Sequence, residues 1–439
     1  MSINKPELLL PAGNLEKLKV AFMYGGDACY VGLADFSLRS RVNQFTKEDL
    51  LEARGLADKL GKKIYVTTNI FPRNEKINNF KEHIEWLRDE LKPDAIILAD
   101  PGVFDLVREV WPEGEIHISV QANNLNWRTV KFWHDLGATR IILARELSLK
   151  EMKEIHEKVP EMEIEAFIHG AICISYSGRC LLSAYMTGRD ANQGFCAQSC
   201  RWKYKVKLPK CSGQICNDSD CGEGDQLTPH NNNMPKLAYL EEELRPDELM
   251  PIEEDQHGTY ILNSRDMCLI EHLGDLTNAG VISFKVEGRS KSIYYLATIA
   301  KVYRKAIDDM AEGRPIDLGL IEELKKVSNR TFIKGFLFEP QTKDTVYYPE
   351  NASIQTHQFC GVVRSVKGDG WYEFEVRNRI EKGMNVEIFT PDQNLDFVLD
   401  EMKTLAGEEI EVASGGIGNI LVKLPEGLSE LSFVRSLVG

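Results

Sequence analysis

The segment Lys63–Ala122, KIYVTTNIFPRNEKINNFKEHIEWLRDELKPDAIILADPGVFDLVREVWPEGEIHISVQA, decides the fold. Its short runs Lys63–Asn69, Ala95–Asp100 and Ile116–Ala122 are apolar and rich in β-branched residues, which marks buried strands rather than helices. Phe80–Leu91 and Val103–Val110 lie between them with apolar residues at helical spacing. Strand alternating with helix is the pattern of a parallel sheet covered by helices. The pattern continues outward through strands at Leu8–Pro11, Cys29–Gly32, Arg140–Arg145, Ile164–His169 and Ser283–Glu287. Helical stretches intervene at Leu15–Tyr24, Lys47–Leu60, Trp127–Leu136 and Leu149–Lys158, and Ser292–Glu312 is an amphipathic helix placed to close the unit. Eight strands in roughly 290 residues fit a (β/α)8 TIM-like barrel better than an open doubly wound sheet. No G-x-G-x-x-G turn follows the first strand, which lowers the open-sheet alternative further.

The rest of the chain divides by composition. Residues 1–337 read as the barrel, interrupted at about 205–255 by a cysteine-rich, turn-rich insertion. A polar linker spans 338–357, and from 358 to 439 short alternating segments such as Trp371–Arg377 and Ile420–Leu424 suggest a small β-barrel or sandwich. At 439 residues and 43% hydrophobic content the chain supports a large packed core. No apolar run approaches the roughly 20 residues of a membrane helix, and the start lacks a basic, apolar signal segment, so the cytoplasm is the expected compartment. A net charge of −14 disfavours indiscriminate nucleic-acid coating but allows a local basic patch.

Four of the ten cysteines fall between Cys173 and Cys200, at Cys173, Cys180, Cys196 and Cys200. The gaps are six, fifteen and three residues. Only the Cys196/Cys200 half resembles a zinc knuckle, whereas iron–sulfur clusters tolerate irregular spacing because each iron needs one protein thiolate. A cubane cluster, a zinc ion and unligated or disulfide-bonded thiols all remain open on spacing alone. Cys211, Cys216 and Cys221 recur at five-residue intervals near His230, where a second metal site competes with plain surface thiols in a loop. Asp218 and Asp220 resemble a calcium-loop fragment without its glycine and glutamate.

Barrel active sites gather at the C-terminal ends of strands. His169, Glu287, Gln121 and Asn123 fall there as candidate catalytic residues. Arg39, Arg41, Arg145 and Arg289 fall there too, and guanidinium forks of this kind suit a small dicarboxylate. Beyond Cys200, the basic residues Arg201, Lys203, Lys205 and Lys207 alternate with Trp202 and Tyr204. On a strand this puts charge on one face and aromatics on the other, suited either to RNA or to an edge strand that resists aggregation.

The run Glu165–Ser183, EAFIHGAICISYSGRCLLS, resembles the signature of the collagenase-like peptidase family of unassigned catalytic type. ELLLPAG (Glu7–Gly13), SVQAN (Ser119–Asn123), ARELSL (Ala144–Leu149), NQGFCAQSCRW (Asn192–Trp202) and KVEGRSKS (Lys285–Ser292) are similar to the branch that forms 5-hydroxyuridine at the tRNA wobble position. The resemblance spans nearly the whole chain except about Lys210 to Pro251. It implies that Cys173, Cys180, Cys196 and Cys200 ligate a [4Fe–4S] cluster, that prephenate is the dicarboxylate, and that tRNA is the macromolecular partner. An accessory protein is compatible with it. Relatives that act on ribosomal RNA or quinone precursors leave a non-catalytic iron–sulfur scaffold as an alternative. Peptidase chemistry is the other alternative, but no H-E-x-x-H or G-x-S-x-G motif is present: His156-Glu157 is followed by Pro160 where a second histidine would stand.

Overall fold

The computed structural model describes residues 5–38, 43–173, 175–180, 182–183, 189–196, 265–338 and 354–438, together with the backbone of strands within 236–260. Eight parallel strands form the barrel: β1 (Glu7–Pro11), β2 (Ala28–Val31), β3 (Lys63–Thr68), β4 (Ala95–Leu98), β5 (Ile116–Ile118), β6 (Arg140–Ile142), β7 (Glu163–Ala171) and β8 (Val281–Val286). Each pairs with the next through β7, and β8 pairs with both β7 and β1. That double pairing closes the ring and excludes the open sheet. Between the strands, α1 (Leu15–Met23), α2 (Lys47–Leu60), α3 (Ile77–Trp86), α4 (Pro101–Val110), α5 (Trp127–Asp135) and α6 (Leu149–Lys158) form much of the outer layer.

Helix starts are written into the sequence. Thr46 with Asp49 and Ser148 with Glu151 form reciprocal capping boxes, and Asp100 caps α4 with Pro101 in its first turn. These caps fix where each chain segment leaves the barrel mouth. Two strands stop earlier than their apolar runs suggest. β5 ends at Ile118 because the Ser119 side chain accepts from the Gln121 N–H and opens a 3₁₀ turn, Val120–Ala122. β6 ends at Ile142, leaving Leu143–Arg145 as loop.

The interior of the barrel is polar toward its N-terminal end. Arg140 lies 2.7 Å from Glu7 and 3.4 Å from Glu165, and Lys285 Nζ lies 2.6 Å from Glu165. Ser283 and Tyr65 donate to Glu7 at 2.9 and 2.6 Å. Burying such charges is tolerable only because every one is paired and hydrogen-bonded.

Two additions extend the ring. The strand Asp266–Cys268 runs antiparallel against the end of β7, and α7 (Leu273–Asn278) leads from it into β8. α8 (Ile293–Ala311), capped by Ser292, then packs its apolar face on the barrel. Within the insertion, Lys236–Glu242, Arg245–Asp255 and Gly258–Tyr260 pair as a three-stranded antiparallel sheet, so part of this acidic, turn-rich stretch takes β backbone.

From His357 onward the chain is all-β. Its seven-stranded antiparallel sheet runs in the order Asn394–Leu399, Met384–Phe389, Phe433–Leu437, His357–Gly368, Trp371–Val376, Asn419–Lys423, Met402–Lys403. This region is seated on the barrel. Tyr24 stacks on Phe389 and donates to the Leu431 carbonyl at 2.9 Å. Arg435, fully buried, pairs at 2.5 Å with Glu323 from the barrel side and with Glu387 from the sheet. Among the described residues no helix is long and apolar enough to cross a membrane.

Candidate functional site

A cavity of about 140 Å³ opens at the C-terminal end of the barrel strands, where barrel active sites lie. Its deep part is cationic and aromatic. Lys285, Arg289, Arg145, Tyr30 and Phe167 line it together with Glu287. Arg145 stacks its guanidinium 3.7 Å from the Phe167 ring centroid and sits 3.9 Å from the Glu287 carboxylate. Its buried Nε has no hydrogen-bond partner among the described residues. Lys285 lies 4.6 Å from the Tyr30 ring, and Arg289 5.4 Å from the same ring. Burial pushes the Lys285 ammonium below its usual range while Glu165 pulls it back up. Such a floor favours a small anion.

The cavity wall is built by the cysteine-bearing loops. Gly170 near the end of β7 has φ +107°, and a Cβ there would meet the Glu287 carbonyl at 2.5 Å, so only glycine lets the chain turn out of the barrel here. Tyr176–Arg179 forms a turn closed by the Arg179 N–H to the Tyr176 carbonyl at 3.0 Å. Gly178 at its third position has φ +73° and packs where a Cβ would sit 2.0 Å from the Gln121 carbonyl. Asn123 donates to the Ser177 carbonyl at 3.1 Å, and Glu146 accepts from the Ser177 N–H at 2.9 Å. Asn192 donates to the Cys180 carbonyl at 3.2 Å and accepts through its own carbonyl from the Phe71 N–H. The loops are thereby tied to the rim at both sides.

Cys173, Cys180 and Cys196 all line this cavity. Cys173 and Cys180 have free thiols, Cys173 exposed and Cys180 partly so. Among the described residues no three His, Cys, Asp or Glu side chains converge to hold a metal ion. Cys200 lies outside the described residues, as do Arg39, Arg41, Arg201, Trp202, Lys203 and the insertion residues Cys211, Cys216, Cys221 and His230. Three cysteines lining one cavity are donors of the kind that suits soft thiolate ligation.

The remaining candidates separate. Gln121, Glu287, Arg145 and Arg289 line the cavity. Asn123 holds the cysteine loop from beside it. His169 is elsewhere: it is buried against α8, its Nδ1 3.1 Å from the Tyr303 hydroxyl, and its ring packs on Tyr295, Tyr303 and Phe332. A register irregularity is responsible. Lys285 faces Phe167, but the next residue, Val286, faces His169, so the extra residue Ile168 turns His169 out of the barrel. Burial lowers its pKa to about 4, leaving the imidazole neutral.

Glu146, beside Arg145 at a strand end, does stand at the rim, where it holds Ser177, whereas sequence reasoning passed over Lys285, Asn192 and Tyr176. For Lys285 a signal exists: Ser283, Lys285 and Glu287 alternate on one strand and share the parity of the rim residue.

Residues 13–346 match Peptidase family U32 and residues 355–435 match the Peptidase family U32 C-terminal domain. The chain is 44% identical over 435 residues to tRNA hydroxylation protein P of Escherichia coli (strain K12), covering 98% of this chain and 96% of that one. It is 37% identical over 436 residues to tRNA hydroxylation protein P1 of Bacillus subtilis (strain 168), covering 98% and 94%. It is also 27% identical over 449 residues to the Collagenase of Porphyromonas gingivalis (strain ATCC BAA-308 / W83), covering 99% and 93%. With both its barrel and its C-terminal region matched, this chain belongs to peptidase family U32.

Proposed function

We propose that this protein takes part in tRNA hydroxylation, supporting conversion of the wobble uridine to 5-hydroxyuridine with prephenate as co-substrate and a [4Fe–4S] cluster at the barrel mouth. The observation that carries the reading is one cavity that combines three of the four clustered cysteines with a cationic floor, in a chain closely similar along its length to proteins named for tRNA hydroxylation. Cys173, Cys180, Cys196 and Cys200 would hold the cluster. When bound, it supplies electron transfer or a Lewis-acidic iron.

The chain's own residues have separable tasks. Arg145, Arg289 and Lys285 bind carboxylates, the two guanidinium groups by paired hydrogen bonds and the ammonium as a point charge. Gln121, which lines the cavity, carries an amide group that can read the donor and acceptor edge of an uracil, while Asn69 and Asn192 spend theirs on holding Leu38, Ser119 and the Cys180 carbonyl. Asn123 and Glu146 keep the cysteine loop seated. Protein and RNA meet in the cytoplasm on this reading.

The test is nucleoside analysis. Digested tRNA from a strain lacking the gene, complemented with wild type or Cys196→Ala, should contain 5-hydroxyuridine only with wild type. Purified iron-loaded protein, tRNA and prephenate should then form the nucleoside in vitro. Normal 5-hydroxyuridine in the deletion strain would overturn the proposal.

A further inference from the structure

We propose that Tyr176 and Phe195 form a stacking platform at the cavity mouth for an unpaired base of the RNA substrate, with Arg73, Lys76 and Arg179 receiving the flanking phosphates. The proposal deepens the tRNA reading above and rests on it. Four aromatic residues of the described chain are well exposed, Phe132, Tyr176, Phe195 and Phe338. Phe132 packs edge-on against Trp133 and Phe338 edge-on against His272, and neither lines the cavity. The other two flank the opening: Tyr176, 59% exposed, lines the cavity, and Phe195, 42% exposed, precedes the cavity-lining Cys196.

Neither ring is exposed through slack backbone. Tyr176 opens the turn that Gly178 locks against the Gln121 carbonyl. The Phe195 N–H donates to the Asp190 carbonyl at 3.1 Å, and Lys76 Nζ stands 5.8 Å from the Phe195 ring. An anchored aromatic left in water costs hydration without packing, which an incoming base face repays by stacking. Charge agrees. The chain carries −14 overall, yet exposed Arg179 ends the Tyr176 turn, and exposed Arg73 and half-buried Lys76 stand on the segment after β3 from which Lys76 reaches Phe195, opposed by Glu75 and by Asp190, whose carboxylate is engaged with the Asn192 N–H. A buried cationic floor with an aromatic rim separates the two ligands by depth, small anion below and base above.

The experiment uses the full-length, iron-loaded protein and fluorescence anisotropy with two anticodon stem-loop RNAs, one carrying uridine at the wobble position and one abasic there. Tyr176→Ala and Phe195→Ala should each weaken binding of the uridine RNA by roughly 5- to 150-fold. The abasic RNA should bind wild type and variants alike. Tyr176→Phe should keep the affinity and Tyr176→Leu should lose it, which separates a π face from mere bulk and holds if the alanine variant folds poorly. Equal binding of the uridine RNA by wild type and both alanine variants overturns the platform while leaving the tRNA reading intact. Equal losses for both RNAs overturn it too. Failure of the wild type to bind either RNA removes the tRNA reading itself.

Discussion

Lys285→Met is the perturbation whose consequence follows most directly from the barrel interior. The ammonium sits 2.6 Å from the Glu165 carboxylate, with side-chain exposures of 6% and 0%. Removing it leaves Glu165 with Arg140 and Ser283 as partners, each at 3.4 Å. Breaking a buried pair from one side costs about 3–5 kcal/mol, because the remaining charge stays buried without its counter-ion. Arg140 still faces Glu165, so the lower half of that range is expected. With a urea m-value of about 3 kcal/mol/M the midpoint should fall by about 1 M at unchanged slope. The double variant Lys285→Met/Glu165→Met removes both charges, and Arg140 keeps Glu7 and Glu163. It should therefore be more stable than Lys285→Met alone, with a coupling of about 1–3 kcal/mol across the cycle. Prephenate binding by calorimetry should be lost in both variants, since each lacks the floor ammonium. A Lys285→Met midpoint within error of wild type, or a double variant less stable than the sum of the singles, would refute the reasoning.

Other expectations follow from the same geometry. Gly178→Ala places a Cβ against the Gln121 carbonyl at positive φ, so it should shift the Cys173–Cys180 loop and lower iron content at least severalfold while leaving far-ultraviolet circular dichroism unchanged. Burial holds His83 near pKa 3 and His169 near 4, and pushes His117 well down. The unfolded chain therefore binds protons that the native chain refuses below about pH 6.5, and stability should fall as pH drops from there toward 4, by about 1.4 kcal/mol per unit for each histidine. His83, whose ring stacks on Phe36, should on replacement by Phe flatten that slope by one histidine's share in a urea series across pH. Arg435→Met leaves Glu323 and Glu387 with Lys326 between them and His357 3.8 Å from Glu387, and should cost about 3 kcal/mol and loosen the C-terminal region, seen as a separate, earlier transition in calorimetry.

The barrel was legible because its eight strands are short apolar runs between helices with clear caps, and each expected strand lies on an observed one. The end of the C-terminal sheet was not, because Phe433–Leu437 places Arg435 and Ser436 in its middle, and a strand with an arginine reads as surface until the partners Glu323 and Glu387 are known. The cavity's rim was partly legible: Gln121, Arg145, Glu287 and Arg289 stand at strand ends and do meet. Lys285 was hidden for the opposite reason to Arg435, since a lysine in a strand ordinarily faces water and only ring closure encloses it with Glu165. His169 carries the right neighbours in sequence, but the irregularity at Ile168 reverses its side, and no local pattern announces such a shift. Three of the four cysteines line one cavity although fifteen residues separate Cys180 from Cys196, and the contacts of Asn192 with the Cys180 carbonyl and the Phe71 N–H, which spacing does not announce, tie the two loops to the rim.

The claim on which the rest depends is that the mouth cysteines hold an iron–sulfur centre. Iron, acid-labile sulfide and zinc should be quantified on protein isolated without oxygen, for wild type and for Cys173→Ala, Cys180→Ala, Cys196→Ala and Cys200→Ala. The account predicts about four iron and four sulfide per wild-type chain, as a cubane requires, and a marked loss in each variant. Stoichiometric zinc without sulfide, or wild-type iron retained in all four variants, would contradict it.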